Sequence, residues 1–178
     1  MRVFRTTRYS AAWFPCGPDR NATRLLIQTT LREALGDPDG RLEVDREGPH
    51  WRGKLEIGLS YAHDEDSVFV VWTPEGRPVG VDLEPANRLP KRPVEELAAR
   101  FFHESESRTI SRLSGSHRVS AFLELWLKKE AVAKLTRKGL VHSLPLQLDA
   151  CSGIEFEEPA LLPRGKRAVL AFFKNPTG

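Results

Sequence analysis

The alternation of apolar and polar positions divides the chain into one early helix, a run of short strands, two later helices and closing strands. In RNATRLLIQTTLREAL, spanning Arg20–Leu35, the residues Leu25, Leu26, Thr29, Leu31 and Leu35 approximate a helical stripe. Asn21 is placed to cap its start, and Gly36 with Asp37-Pro38-Asp39-Gly40 to end it. The segments RLEVD, EGPHWRG, KLEIGLSYA and SVFVVW follow, separated by turn residues, and Thr73-Pro74-Glu75-Gly76 is expected to form a hairpin turn into RPVGVDLE. Pro85, Pro90 and Pro93 break the chain before VEELAARFF, where Val94, Leu97, Ala98, Phe101 and Phe102 share one helical face. A further helix is expected over about 118–135, with Val119, Phe122, Leu125, Trp126, Ala133 and Leu135 inward and Gly139 as its stop. Ile154, Phe156 and RAVLAFF supply later strands. Irregular alternation without a repeat favours an α+β fold over a doubly wound parallel sheet.

Composition narrows the class. With 178 residues, 40% of them hydrophobic and 29% charged, the chain suits one well-filled globular unit. It has no run of eighteen apolar residues and no apolar core behind the basic start MRVFRTTRYS, so neither a membrane span nor secretion is expected and the cytoplasm is the expected location. Cys16 and Cys151 lack zinc-site spacing and read as reduced structural thiols. A net charge of +3 with a pI near 9.0 favours an anionic partner. No recognition-helix or aromatic-interleaved basic motif points to nucleic acid.

The chemistry-bearing residues fall in two places. On a strand Asp82 and Glu84 of GVDLEP project to one side, and on a helix Glu130 and Lys134 of WLKKEAVAK lie four apart on one face. Each motif alone is ordinary surface chemistry. Combined, they give three carboxylates and an ammonium, a set suited to Mg²⁺ holding a pyrophosphate, because Mg²⁺ takes oxygen donors and completes its shell with water and substrate phosphates. His103, His117 and His142 have no metal-like spacing and read as surface or helix-end residues, and no Ser/His/Asp or Cys/His nucleophile set is apparent.

GVDLEP followed by WLKKEAVAK resembles the paired signature of the 4'-phosphopantetheinyl transferases, closest to their surfactin-type branch. Ala99-Arg100-Phe101-Phe102 with Glu106, Lys138-Gly139-Leu140, Ser143-Leu144-Pro145-Leu146 and RAVLAFF extend the likeness over most of 41–173. The resemblance implies two pseudo-symmetric α+β halves forming one compact, monomeric unit. Residues 1–80 would be the coenzyme A nucleotide side, and 81–178 would carry the metal and catalytic motifs. It implies transfer of the phosphopantetheine arm of coenzyme A to a serine of an apo acyl or peptidyl carrier protein, releasing 3',5'-ADP. Asp82, Glu84 and Glu130 would bind Mg²⁺, with Glu130 or a metal-bound water as base. Lys134 would contact the pyrophosphate and stabilise the leaving group, and Lys129 would support the same phosphates. Arg24 and Ser60 would bind coenzyme A.

Several positions depart from the family pattern. In Leu59-Ser60-Tyr61-Ala62-His63, Tyr61 stands where a phosphate-binding histidine is usual, so Tyr61 or His63 is expected to replace that contact. Gly48-Pro49 represents a Gly-Lys-Pro turn without its lysine, leaving Arg46 and Arg52 to supply charge, and the shorter N-terminus leaves Arg2, Arg5 and Arg8 as substitutes. These losses keep open an alternative, a homologue that binds coenzyme A or a carrier protein without catalysing transfer.

Overall fold

A computed structural model of the chain describes residues 2–88, 90–159, 162 and 164–174, the side chain of Arg2 excepted. Strand β6 (Ser67–Pro74) explains the layering. Its residues are buried from Ser67 to Thr73, so both of its faces must be covered. Val68, Val70 and Trp72 pack with Ile27 and Leu31 of helix α1 (Arg20–Leu35) and with Trp51, while Phe69 and Val71 pack the other way against a second sheet. The first sheet orders its antiparallel strands β1 (Arg2–Arg5), β2 (Ser10–Pro15), β6 and β5 (Ile57–His63). The second places β9 (Lys166–Phe173) between β7 (Val79–Pro85) and β8 (Ile154–Glu157). A separate hairpin, β3 (Arg41–Asp45) with β4 (Gly48–Arg52), brings Trp51 to the α1 side.

Between the two sheets lies one core, in which Tyr9, Phe69 and Val71 meet Val81, Leu83, Leu170 and Phe172. The far face of the second sheet is covered by α4 (Gly115–Thr136), whose Leu127, Ala131, Val132 and Leu135 pack on Val169 and Ala171. The order through the molecule is therefore helix, sheet, sheet, helix. At 25 °C each large apolar side chain so buried contributes about 1.5–3 kcal/mol. Helices α2 (Val94–Phe101) and α3 (Glu104–Arg112) pack against the front half of α4, with the rings of Phe102 and Phe122 stacked at 5.1 Å.

Several expectations need correction. Helix α1 has the expected ends, but its cap is Asp19, whose Oδ1 accepts from the backbone N–H groups of Asn21 at 2.8 Å and Ala22 at 3.3 Å. Its buried face is Thr23, Ile27, Thr30 and Leu31, whereas Leu25 and Leu26 are exposed, so threonines occupy inward positions that leucine weighting assigns elsewhere. The turn after β6 forms, with Arg77 N–H donating to the Pro74 carbonyl, but it closes no hairpin. Both edges of β6 are already taken by β2 and β5, so β7 crosses to the facing sheet. Helix α4 starts at Gly115 and stops before Gly139, because Arg137 already takes the left-handed conformation at φ 57°. Strands β1 and β2 and helix α3 extend beyond the elements expected from the pattern.

Candidate active site

Strand β7 is flanked by core on one side and α4 on the other, so Val81 and Leu83 enter the inter-sheet core while Gly80, Asp82 and Glu84 face the helix. Gly80 sets the distance. A Cβ there would lie 2.0 Å from the Ala131 carbonyl oxygen and 2.6 Å from the Leu135 nitrogen, so only glycine lets α4 cross this closely. That crossing brings Lys134 to Asp82, and its Nζ donates to Oδ1 at 2.8 Å. The other oxygen, Oδ2, is buried with no hydrogen-bond partner among the described residues. The strand is also tied to β5, where the Ser60 hydroxyl accepts from Val81 N–H at 3.2 Å.

Asp82, Glu84, Glu130 and Lys134 line one open cleft of about 1630 Å³. Glu84 is ion-paired with Arg88, which follows it in the loop after β7. Glu130 is pushed up to about 7, first by burial and then by the negative charge of Asp82, with Lys134 acting in the opposite direction. The wall thus concentrates more negative charge than its cations balance, and part of it is met by holding a proton.

Oxygen donors of this kind fit a hard divalent cation. The partnerless Asp82 Oδ2 and the proton retained near Glu130 are both relieved by a positive charge placed between them. Among the described residues, no three His, Cys, Asp or Glu side chains converge closely enough to hold a metal by themselves. Mg²⁺ asks for less, since one or two carboxylates with water and substrate phosphates complete its shell.

The remaining predicted residues scatter. Ser60, Tyr61 and His63 lie along the cleft on β5, although the Ser60 hydroxyl is occupied by the inter-sheet bond. Arg24 is exposed on α1 and does not line the cleft; Arg20, one turn earlier, does. Of the arginines near Gly48-Pro49, Arg46 lines the cleft with that turn, whereas Arg52 pairs with Glu43 at 3.0 Å outside it. Arg5 donates to the Ala34 carbonyl and Arg8 pairs with Glu155 over the Phe172 ring, both away from the cleft.

Lys129 is placed differently from its expected role beside the phosphates. It is fully buried, its Nζ lies 2.7 Å from Glu106 Oε2, and it donates to the Leu146 carbonyl at 2.6 Å. Burial pulls its pKa down while Glu106 raises it. Glu106 Oε1 also accepts from Leu148 N–H at 3.0 Å, so the pair anchors α3 and the 146–148 segment beneath α4. Sequence reasoning passed over Arg88, Arg137 and Lys166, which also line the cleft. Lys166 bonds Asp64 and Asp66, each at 2.6 Å, joining the second sheet to the β5–β6 turn. Their only signal in the sequence is positive charge next to turn residues.

The family model of the 4'-phosphopantetheinyl transferase superfamily matches residues 78–173, more than half of the chain and the part that carries β7, α4 and β9. The chain is similar to the putative 4'-phosphopantetheinyl transferase slr0495 of Synechocystis sp., with 36% identity over 108 residues, covering 60% of this chain and 40% of that protein. It is also similar to the 4'-phosphopantetheinyl transferase psf-1 of Bacillus pumilus, with 28% identity over 124 residues, covering 67% of this chain and 50% of that one. The match spans half or less of these relatives' own length. Because that family model covers more than half of the chain, the chain belongs to the 4'-phosphopantetheinyl transferase superfamily.

Proposed function

We propose that this protein transfers the 4'-phosphopantetheine arm of coenzyme A to a serine of an apo acyl or peptidyl carrier protein, with release of 3',5'-ADP. The observation that carries the reading is the meeting of Asp82 and Glu84 from β7 with Glu130 and Lys134 from α4 on one cleft wall. Asp82, Glu84 and Glu130 are the residues that would hold Mg²⁺, which when bound supplies positive charge against the pyrophosphate. Glu130 takes the proton of the carrier serine as its oxygen bonds to the phosphorus that bears the pantetheine arm. Its pKa, pushed up to about 7, suits that task. The bond from that phosphorus to the departing 3',5'-ADP breaks, and Lys134 exchanges its bond with Asp82 for the phosphate oxygens that gain charge.

The layering supports a reading as two related halves, 1–80 and 81–178, each a sheet with a helix on its outer face. Coenzyme A would lie in this cleft with its nucleotide toward Tyr61, Arg20 and Arg46, which line it. We read the protein as acting in the cytoplasm as a monomer, near the surfactin-type branch. Among the described residues no helix is long and apolar enough to cross a membrane.

Mass spectrometry tests the activity. Incubation with coenzyme A, Mg²⁺ and a panel of apo carrier proteins should add the phosphopantetheine mass to at least one carrier, and Asp82→Ala should abolish the gain. Tight coenzyme A binding with no mass gain on any carrier would instead support the non-catalytic homologue.

A further inference from the structure

Two carboxylates of the cleft wall are neutralised by side chains of the chain itself. Lys134 Nζ holds Asp82 Oδ1, and Arg88 Nη1 holds Glu84 Oε1. The two pairs are built differently. Lys134 stands on α4, next to the crossing that Gly80 allows, whereas Arg88 stands in the turn that leaves β7. The backbone of that turn is tied down: Arg88 N–H donates to the Pro85 carbonyl at 3.1 Å, and Ala86 N–H to the Gly165 carbonyl at 2.8 Å, just ahead of β9. Arg88 can therefore leave Glu84 by turning its side chain alone, with the backbone in place.

The other cations nearby are not engaged with Glu84. Arg167 faces it directly across the β7–β9 pair, yet its Nη1 donates to the Ser120 hydroxyl on α4 at 3.4 Å. Lys91, three residues beyond Arg88, lines the same cleft and makes no ion pair with Glu84 among the described residues. The Glu84 side chain is 11% exposed and that of Arg88 44%, so the guanidinium lies on the open side of a carboxylate that is otherwise enclosed. A divalent cation seated on Glu84 would meet this guanidinium at ion-pair range, where like charges repel steeply.

Resting on the reading that Asp82, Glu84 and Glu130 hold Mg²⁺, we infer that Arg88 is a resident counter-ion of Glu84 that a divalent cation must displace. It holds the Glu84 carboxylate in place in the unliganded cleft, and it lowers the affinity of the bare cleft for metal.

Binding of Mn²⁺ tests this on the full chain without coenzyme A, because Mn²⁺ suits the same oxygen donors as Mg²⁺ and its free form is counted by electron paramagnetic resonance. Arg88→Gln removes the charge and should bind Mn²⁺ about fivefold more tightly than the wild type, the upper end of what a part-exposed ion pair is worth. Arg88→Lys keeps the charge and should bind as the wild type does. Lys91→Gln removes the same charge from the same loop without touching Glu84, and should leave the affinity unchanged. Arg88→Gln binding no more tightly than the wild type would overturn the inference. So would an equal gain in Arg88→Lys, or in Lys91→Gln, where it would mark general repulsion within the cleft. These outcomes leave the proposed transfer standing. No Mn²⁺ bound by any of these proteins, with or without coenzyme A, would overturn the inference together with the carboxylate site on which it rests.

Discussion

Glu130 and Asp82 oppose each other across the cleft wall, and their opposition is measurable in the unliganded protein. Burial and the Asp82 charge push Glu130 up to about 7, whereas in an unfolded chain a glutamate ionises at about 4.3. Between those values the folded protein holds a proton that the unfolded chain has released. The stability contributed by this group is therefore complete below the unfolded value and is lost as pH rises through about 7. Glu130→Gln cannot ionise, so the denaturant midpoint of the variant should gain on the wild type from pH 5 to about pH 7 and level off above it. Parallel midpoint curves would show that Glu130 ionises without cost to the fold. In the transfer assay the same variant should lose at least about a hundredfold in rate, the scale of a general-base contribution.

At the scale of elements, β7 and α4 were legible because each carries its own period: GVDLE alternates, and the helix presents Glu130 and Lys134 four apart. The glycine that lets them meet carries no period at all. Gly80→Ala would drive a Cβ against the α4 backbone at 2.0 Å, where no flexible side-chain end is available to yield. It should destabilise by about 3 kcal/mol, the upper part of the overpacking range, in urea unfolding, and also reduce coenzyme A binding by displacing Lys134. Unchanged stability would mean that α4 lifts off β7 at no cost. Helix α3 escaped the pattern for a related reason. ESESRTISR is polar almost throughout, and its inward residues are Ile110 and Glu106, the latter kept inside by Lys129. Lys129→Met alone leaves Glu106 buried and uncompensated, and should cost about 3–5 kcal/mol. The pair Lys129→Met with Glu106→Leu should regain most of that in denaturant titrations, and transfer activity per folded molecule should persist, because neither residue lines the cleft. Activity lost in the stable double variant would return Lys129 to the phosphate site.

At the scale of the molecule, the cleft draws its walls from α1, the β3–β4 hairpin, β5, β7, α4 and the start of β9, so no single stretch of sequence encloses it. Asp82 was readable as a strand carboxylate on the same side as Glu84. That Ser60 ties β5 to β7, that Arg20 faces the cleft while Arg24 does not, and that Lys166 reaches Asp64 depend on contacts between residues far apart in the chain. Such a site is completed by folding, so what fills it should in turn hold the layers together. Coenzyme A at a hundred times its dissociation constant should stabilise the protein by about 2.7 kcal/mol. For a chain of this size that raises the melting temperature by about 5–10 °C. If the carboxylates hold Mg²⁺, coenzyme A with Mg²⁺ should give a larger shift than coenzyme A with EDTA. Asp82→Ala should keep the EDTA-resistant part, which comes from the arginine-lined end, and lose the rest. Equal shifts with and without Mg²⁺ in the wild type would exclude the carboxylate wall as the metal's seat. No shift under either condition would exclude the cleft as the coenzyme A site.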